Sequence, residues 1–255
     1  MSNNTISFTC TTLPVNKKGE LPVDADGYYT HPVGALDAVN SVGEYYTADK
    51  AARDLFESNS LFMRRVKAST LSGECGHPKP LPGQSMESYT ERFMMIEETR
   101  ISHHFAELWL DFDGVKKPDG SPQITIMAKV KPEGPYQQAL ESALKNPRMN
   151  TCFSLRGATE DVNIAGVWNR TIKHVVTFDW VQHSGIEFAK KYYSPTLESD
   201  REIQAMQLKP AHFKGVLKPA VRNIATESIR SQGIELFQAL GWQFTEDNKP
   251  EWARW

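Results

Sequence analysis

Three side chains could perform acyl transfer together if the fold brings them into contact: the hydroxyl of Ser154, the imidazole of His77 and the carboxylate of Asp179. A neutral serine hydroxyl is a weak nucleophile until a neighbouring base takes its proton. An imidazole accepts a proton near neutral pH, and a carboxylate can hold the ring in one tautomer and stabilise its cation. Ser154 lies in the stretch Asn150 to Asp161, N-T-C-F-S-L-R-G-A-T-E-D. On a strand, alternate residues share a face, so Phe153 and Leu155 are expected to pack inward while Ser154 and Arg156 point together toward a cleft. That pairing sets an anion-stabilising group beside a nucleophile, and Gly157 predicts a sharp turn directly after it. A lone Ser-x-Arg-Gly is a common chance match, so the weight rests on the other two segments.

His77 occurs in Gly73-Glu74-Cys75-Gly76-His77-Pro78. Pro78 disfavours a helical His77, and the glycines loosen the backbone before it, so the segment reads as a fixed loop presenting a ring. Asp179 interrupts the strand-like run Val175-Val176-Thr177-Phe178-Asp179-Trp180-Val181. Aspartate is disfavoured in strands, and a buried carboxylate requires a partner, which an imidazole N–H can be. Glu74 is an alternative partner for His77, although its place in the loop suggests the surface.

The order G-E-x-x-H-P, then S-x-R-G, then V-x-F-D resembles the prohead core proteases of tailed phages. These are capsid-maturation serine proteases, distantly related to the herpesvirus assemblin protease. Asn40-Ser41-Val42-Gly43-Glu44-Tyr45-Tyr46, ahead of a helix, adds to the likeness, which spans roughly residues 30 to 190. The resemblance implies His77 as general base, Ser154 as nucleophile, and Arg156 and Gly157 at the positions of the oxyanion-stabilising groups. In the assemblin relatives a histidine is the third member; here Asp179 occupies the matching strand, 25 residues after Ser154. The resemblance also implies capsid and scaffold precursor proteins as substrates, in the host cytoplasm and the interior of the prohead. It implies self-cleavage after glutamate, for which Thr196-Leu197-Glu198 and Ala225-Thr226-Glu227 fit. No cofactor is implied, and the choice between monomer and homo-oligomer is left open.

Two readings of other classes compete. A metal-dependent hydrolase could draw ligands from Cys75, His77 and the pair His103-His104, but the chain has no C-x-x-C or H-E-x-x-H spacing, and adjacent strand histidines face opposite sides. A non-enzymatic capsid or scaffold component would make Ser154 and His77 incidental. Cys152 as a thiol nucleophile is a further variant.

The elements that must position these groups follow from composition and periodicity. At 255 residues and 40% hydrophobic, the chain is long enough for a substantial core. A net charge of −2 supplies no basic field for direct nucleic-acid binding. The odd cysteine count, Cys10, Cys75 and Cys152, favours a reducing setting. Neither a signal peptide nor a membrane-length apolar run is visible. Strands are expected at 6–15, 33–39, 93–96, 101–112, 124–130, 167–170 and 171–181, with a bulge in 101–112. Helices are expected after Thr47 and Asn59, at 136–146, at 198–208 and at 219–240 with Gly233 as a breaker. Arg64, Arg65 and Lys67 read as a solvated helix face. The prolines at 78, 80 and 82 read as a rigid connector that could border a groove. The fold class is therefore α+β: an antiparallel-rich barrel or sheet core with flanking helices, herpesvirus-protease-like by resemblance. It forms a protease domain over 1–195, followed by a helical extension over 196–255.

Overall fold

The computed structural model describes residues 19–117, 119–182, 185–191, 208–219 and 224–244. In chain order the elements are β1 (Tyr29–Leu36), β2 (Ala38–Val39), β3 (Tyr45–Tyr46), α1 (Lys50–Asp54), α2 (Leu61–Lys67), β4 (Ser72–Glu74) and α3 (Met86–Met94). There follow β5 (Ile101–Lys116), β6 (Pro122–Pro132), α4 (Gln137–Lys145), β7 (Cys152–Ile164), β8 (Val167–Val181), α5 (Lys214–Leu217) and α6 (Ile224–Ala239). One sheet runs β1-β6-β5-β4 and the other β2-β3-β8-β7, with antiparallel pairing except at the short β3·β8 contact. The architecture is α+β, a curled antiparallel sheet system with helices against it.

The inner faces of both sheets meet in one core. Val33, Leu36, Phe105, Ile126 and Val130 from the first sheet pack with Phe153, Ile172, Val175 and Phe178 from the second. Leu140 and Leu144 of α4 and Phe62 and Val66 of α2 close it. A second cluster lies on the far side of β8, where Val176 meets Met94 of α3, Phe213, Val216 and Leu217 near α5, and Leu236 and Phe237 of α6. β8 is thus covered on both faces, which is why its apolar residues run on without alternating.

The sheets are stitched where the site will form. The Thr177 hydroxyl donates to the Ser72 carbonyl at 2.7 Å, and the Gly76 N–H donates to the Trp180 carbonyl at 2.8 Å. Gly73 is a tight point of this junction: a Cβ there would overlap His103 Nε2 and the Phe178 carbonyl oxygen. Gly73→Ala is therefore expected to lower stability by about 1–3 kcal/mol through overpacking, measured as a reduced urea midpoint.

Several expectations change in the structure. The run 93–96 is the end of α3 and the chain beyond it, because Ser85 caps a helix starting at Met86 through its hydroxyl. Gly157 does not turn the chain: β7 continues to Ile164, the turn comes at Ala165 and Gly166, and Gly157 sits at a bulge where a Cβ would overlap the His174 carbonyl. Segments 167–170 and 171–181 are the single strand β8. The first helix is capped by Asp49, while Thr47 bonds to Thr171 instead. Arg65 leaves the solvated face, since its guanidinium donates to the Val176 carbonyl at 2.9 Å and to Gln232 at 3.0 Å, and burial lowers its pKa to about 10. Gly233 does not break α6; it lets the helix approach Val216. The bulged strand at 101–116, its hairpin with β6 and the helix before Pro147 match expectation. The expected strand at 6–15, Cys10 and the Thr196–Glu198 site lie outside the described residues, as does nearly all of the expected helix at 198–208.

Candidate active site

β7 and β8 pair so that Ser154 stands directly across the ladder from Asp179, and Arg156 across from Thr177. Directly opposed residues of an antiparallel pair share a face, with Cβ atoms about 4.5–5.5 Å apart, and diagonal neighbours stay within reach of long side chains. Ser154 and Arg156 therefore flank Asp179 on one side of the hairpin. Phe153 and Phe178 turn the other way into the core, where Phe153 packs edge-on against the rings of His31 and His103.

His77 arrives from the opposite side of β8. After β4 the chain makes a bridge from Cys75 to Trp180, and Gly76 then adopts φ +75°, a left-handed conformation that favours glycine. The next residue swings its ring over β8, and His77 Nδ1 lies 2.7 Å from Asp179 Oδ2. The loop is held from α3, whose Tyr89 hydroxyl donates to the Pro78 carbonyl at 2.8 Å, and from Arg100, which donates to the Cys75 carbonyl at 2.6 Å. A carboxylate only accepts, so Nδ1 carries the proton and Nε2 keeps the lone pair. The ring is one-third exposed while Asp179 is fully buried.

Asp179 is saturated. Its Oδ1 accepts from the Glu74 N–H at 3.0 Å and from Arg156 Nη2 at 2.6 Å; its Oδ2 accepts from Arg156 Nε at 2.8 Å as well as from His77. Burial alone would raise its pKa, but the Arg156 guanidinium and the His77 contact outweigh it and hold the carboxyl well below the usual range.

Sequence reasoning set Arg156 toward a cleft, and the structure gives it a different environment. The alternation fixed its face correctly, yet the end of α3 covers that face. Arg156 is 1% exposed, and its remaining Nη1 donates to the Met95 carbonyl at 2.8 Å. Glu74, expected at the surface, is fully buried on β4. Its carboxylate takes Arg92 through both oxygens, at 3.0 and 2.6 Å, and the Glu97 N–H at 2.8 Å, with Arg156 Nη2 at 3.2 Å. The sequence carried no sign of the arginines, because their partners lie on separate segments. Between the two carboxylates open to choice, Asp179 is the one that meets His77.

A cleft of about 860 Å³ opens beside His77, bounded by Pro78, Leu81, Arg92, Val216 and Ile229 among others. The proline segment thus borders a groove. Thr226 also lines it, which places Ala225-Thr226-Glu227 in the first turn of α6, at the edge of the same cleft. Cys152 is buried with its thiol toward the Gln182 carbonyl, 3.5 Å away. His103 is buried while His104 meets Tyr28 on the other face of β5, and among the described residues no three His, Cys, Asp or Glu side chains gather as a metal site would need.

The sequence model of the Peptidase S80 family matches residues 8–240. A capsid maturation protease of Pseudomonas phage phiKZ is 34% identical over 237 residues, covering 90% of this chain and 86% of that protein. No solved structure matches. No helix among the described residues is long and apolar enough to cross a membrane.

Proposed function

The chain belongs to the peptidase S80 family, and from that premise we propose that it is a serine endopeptidase acting in phage capsid maturation. Ser154 is the nucleophile, His77 the general base and Asp179 the group that orients the base. One observation carries the assignment: the ring bonded to Asp179 through Nδ1 belongs to His77, and the residue directly across the ladder from that carboxylate is Ser154.

In this reading Nε2 of His77 takes the Ser154 proton as the hydroxyl oxygen attacks the scissile carbonyl. The imidazolium that forms is stabilised by Asp179, and Nε2 then delivers the proton to the leaving amine. Charge on the tetrahedral oxygen requires N–H donors fixed in advance. The main chain at Arg156 and Gly157 is the candidate, because the ladder shifts register between them, with Val176 of β8 passed over on the opposite strand. The cleft beside His77 receives the substrate chain.

The relative's printed role as a capsid maturation protease supports capsid and scaffold precursors as substrates, with action in the host cytoplasm and inside the prohead. Self-cleavage at Glu227 would require the first turn of α6 to open. The elements beyond residue 195 are read as a helical extension to the protease domain, docked here against α3 and β8.

The test is incubation of wild type and Ser154→Ala with capsid precursor proteins, read by mass spectrometry. Wild type is expected to yield discrete fragments, and Ser154→Ala to lose at least about 10⁴-fold in rate, as removal of a triad nucleophile does elsewhere. Equal cleavage by both proteins, with both folded, would overturn the reading.

A further inference from the structure

We propose that Arg156 is a positioning residue of the catalytic machinery: it clamps both oxygens of Asp179 and thereby fixes the carboxylate under His77, and its guanidinium does not face the oxyanion. The inference rests on the serine-protease reading above and assigns Arg156 a part that the sequence motif does not.

The geometry is specific. A planar guanidinium meeting both oxygens of one carboxylate fixes the plane of the carboxylate as well as its place, which a lysine cannot do. Arg156 does this through Nε at 2.8 Å and Nη2 at 2.6 Å, while Nη1 is anchored on the Met95 carbonyl. With 1% of the residue exposed, the fork has no opening toward a substrate carbonyl. The Oδ2 atom that receives Nε is the same atom that receives His77, so rotation of the carboxylate would break both bonds together.

Charge points the same way. Arg156 on β7 bonds to Asp179 and the Glu74 N–H on β4 donates to it, while Cys75 on the β4 segment and His103 on β5 lie within its electrostatic reach. Beyond Glu74 lie Arg92 and Arg100, at 2.6 and 3.6 Å from its carboxylate. Glu74 shares Arg156 Nη2 with Asp179. Arg156 therefore reduces the negative field that Asp179 exerts on the imidazole, and Glu74 tempers Arg156. Removing either charge should move the proton affinity of the His77–Asp179 pair, in opposite directions.

The experiment follows that sign change. In Arg156→Met the pair should hold its proton more tightly, so the acidic limb of the kcat/KM profile moves up by about one pH unit or more. Misplacement of the ring should lower kcat about 100-fold with KM little changed. Arg156→Lys, which keeps the charge but not the fork, should lower kcat while leaving the limb near its wild-type position. In Glu74→Gln the limb should move to lower pH. A residue that only supports the fold would reduce the amount of folded protein and leave the limb where it was. An unshifted limb in folded Arg156→Met overturns the proposal. If that variant does not fold, an unshifted limb in Glu74→Gln does so.

The titration of the His77 ring, followed by NMR in a Ser154→Ala background, gives the same readout without turnover. Coupling seen there while Ser154→Ala remains an active protease would sink the serine assignment and keep the clamp. An uncoupled ring in an enzyme that needs Ser154 would sink the clamp alone.

Discussion

Asp179→Asn is expected to lower kcat by about 10⁴-fold, the scale seen when a triad aspartate becomes its amide elsewhere. The cause is the tautomer. Asp179 takes four hydrogen bonds and gives none, and one of the four fixes the proton of His77 on Nδ1. An asparagine sets an NH₂ against the Arg156 fork whichever way it turns, because the fork bonds both oxygens. In the place of Oδ2 the NH₂ also demands a lone pair on Nδ1 of His77, moves the proton to Nε2 and leaves no base for Ser154. In either orientation donor meets donor and the buried Arg156 is left with Glu74, at 3.2 Å, as counter-charge; breaking a buried pair costs about 3–5 kcal/mol. Glu74→Gln should cost far less activity, because Glu74 bonds to arginines and the Glu97 N–H and not to the ring. Steady-state kinetics of both variants on one peptide substrate, with circular dichroism to show that each is folded, decides the matter. A Glu74 variant as impaired as the Asp179 variant would remove Asp179 from its role.

The second large effect is acid unfolding. His31, His103 and His174 are buried, and burial lowers their pKa values to about 4, 3 and 3 from an ordinary value of 6.5. In the unfolded chain all three bind protons as pH falls through 6.5, whereas the folded protein refuses them until pH 3–4. Their contribution is therefore fully present above pH 6.5 and drains away below it. Each such group removes about 1.4 kcal/mol per pH unit, so three together remove about 4. Against a typical stability of about 5–15 kcal/mol, unfolding is expected at about pH 5 if the stability is about 5 kcal/mol and at about pH 4 if it is about 10. Asp179 acts differently: its depressed pKa keeps its contribution above the ordinary carboxylate range and surrenders it only in stronger acid. Urea unfolding at pH 7, 6 and 5 measures the slope. A His103→Gln variant, which cannot take up the proton, should show a shallower one, and a flat wild-type profile would contradict the argument.

The sequence disclosed some of this and concealed the rest for physical reasons. Alternation across Phe153 to Arg156 correctly separated a core face from the face shared with Asp179, and an aspartate in an apolar strand correctly announced a buried carboxylate with a partner. Pattern along a strand says which side a residue takes, but not what lies over that side. Arg156 was consequently read as facing a cleft when the end of α3 covers it. Glu74 was read as exposed for the same reason, since its arginine partners belong to α3, its neighbouring turn and β7. The helix α3 itself was obscured by the apolar run from Phe93 to Ile96, although Ser85 with Glu87 two positions later was a usable start signal. The bulge at Gly157 could not be told from a turn, because glycine serves both.

The hairpin that pairs Ser154 with Asp179 has a consequence for timing. Hydroxyl and carboxylate become neighbours only when Cys152 to Val181 has zipped into register, and a slip of one residue would send one of them to the opposite surface. A nascent chain still on the ribosome, or one loosened by damage, therefore carries the proposed nucleophile and its carboxylate as strangers. Under the proposed roles of Ser154 and Asp179, destructive capacity awaits completion of the ladder, and a half-made enzyme poses little hazard to the proteins around it.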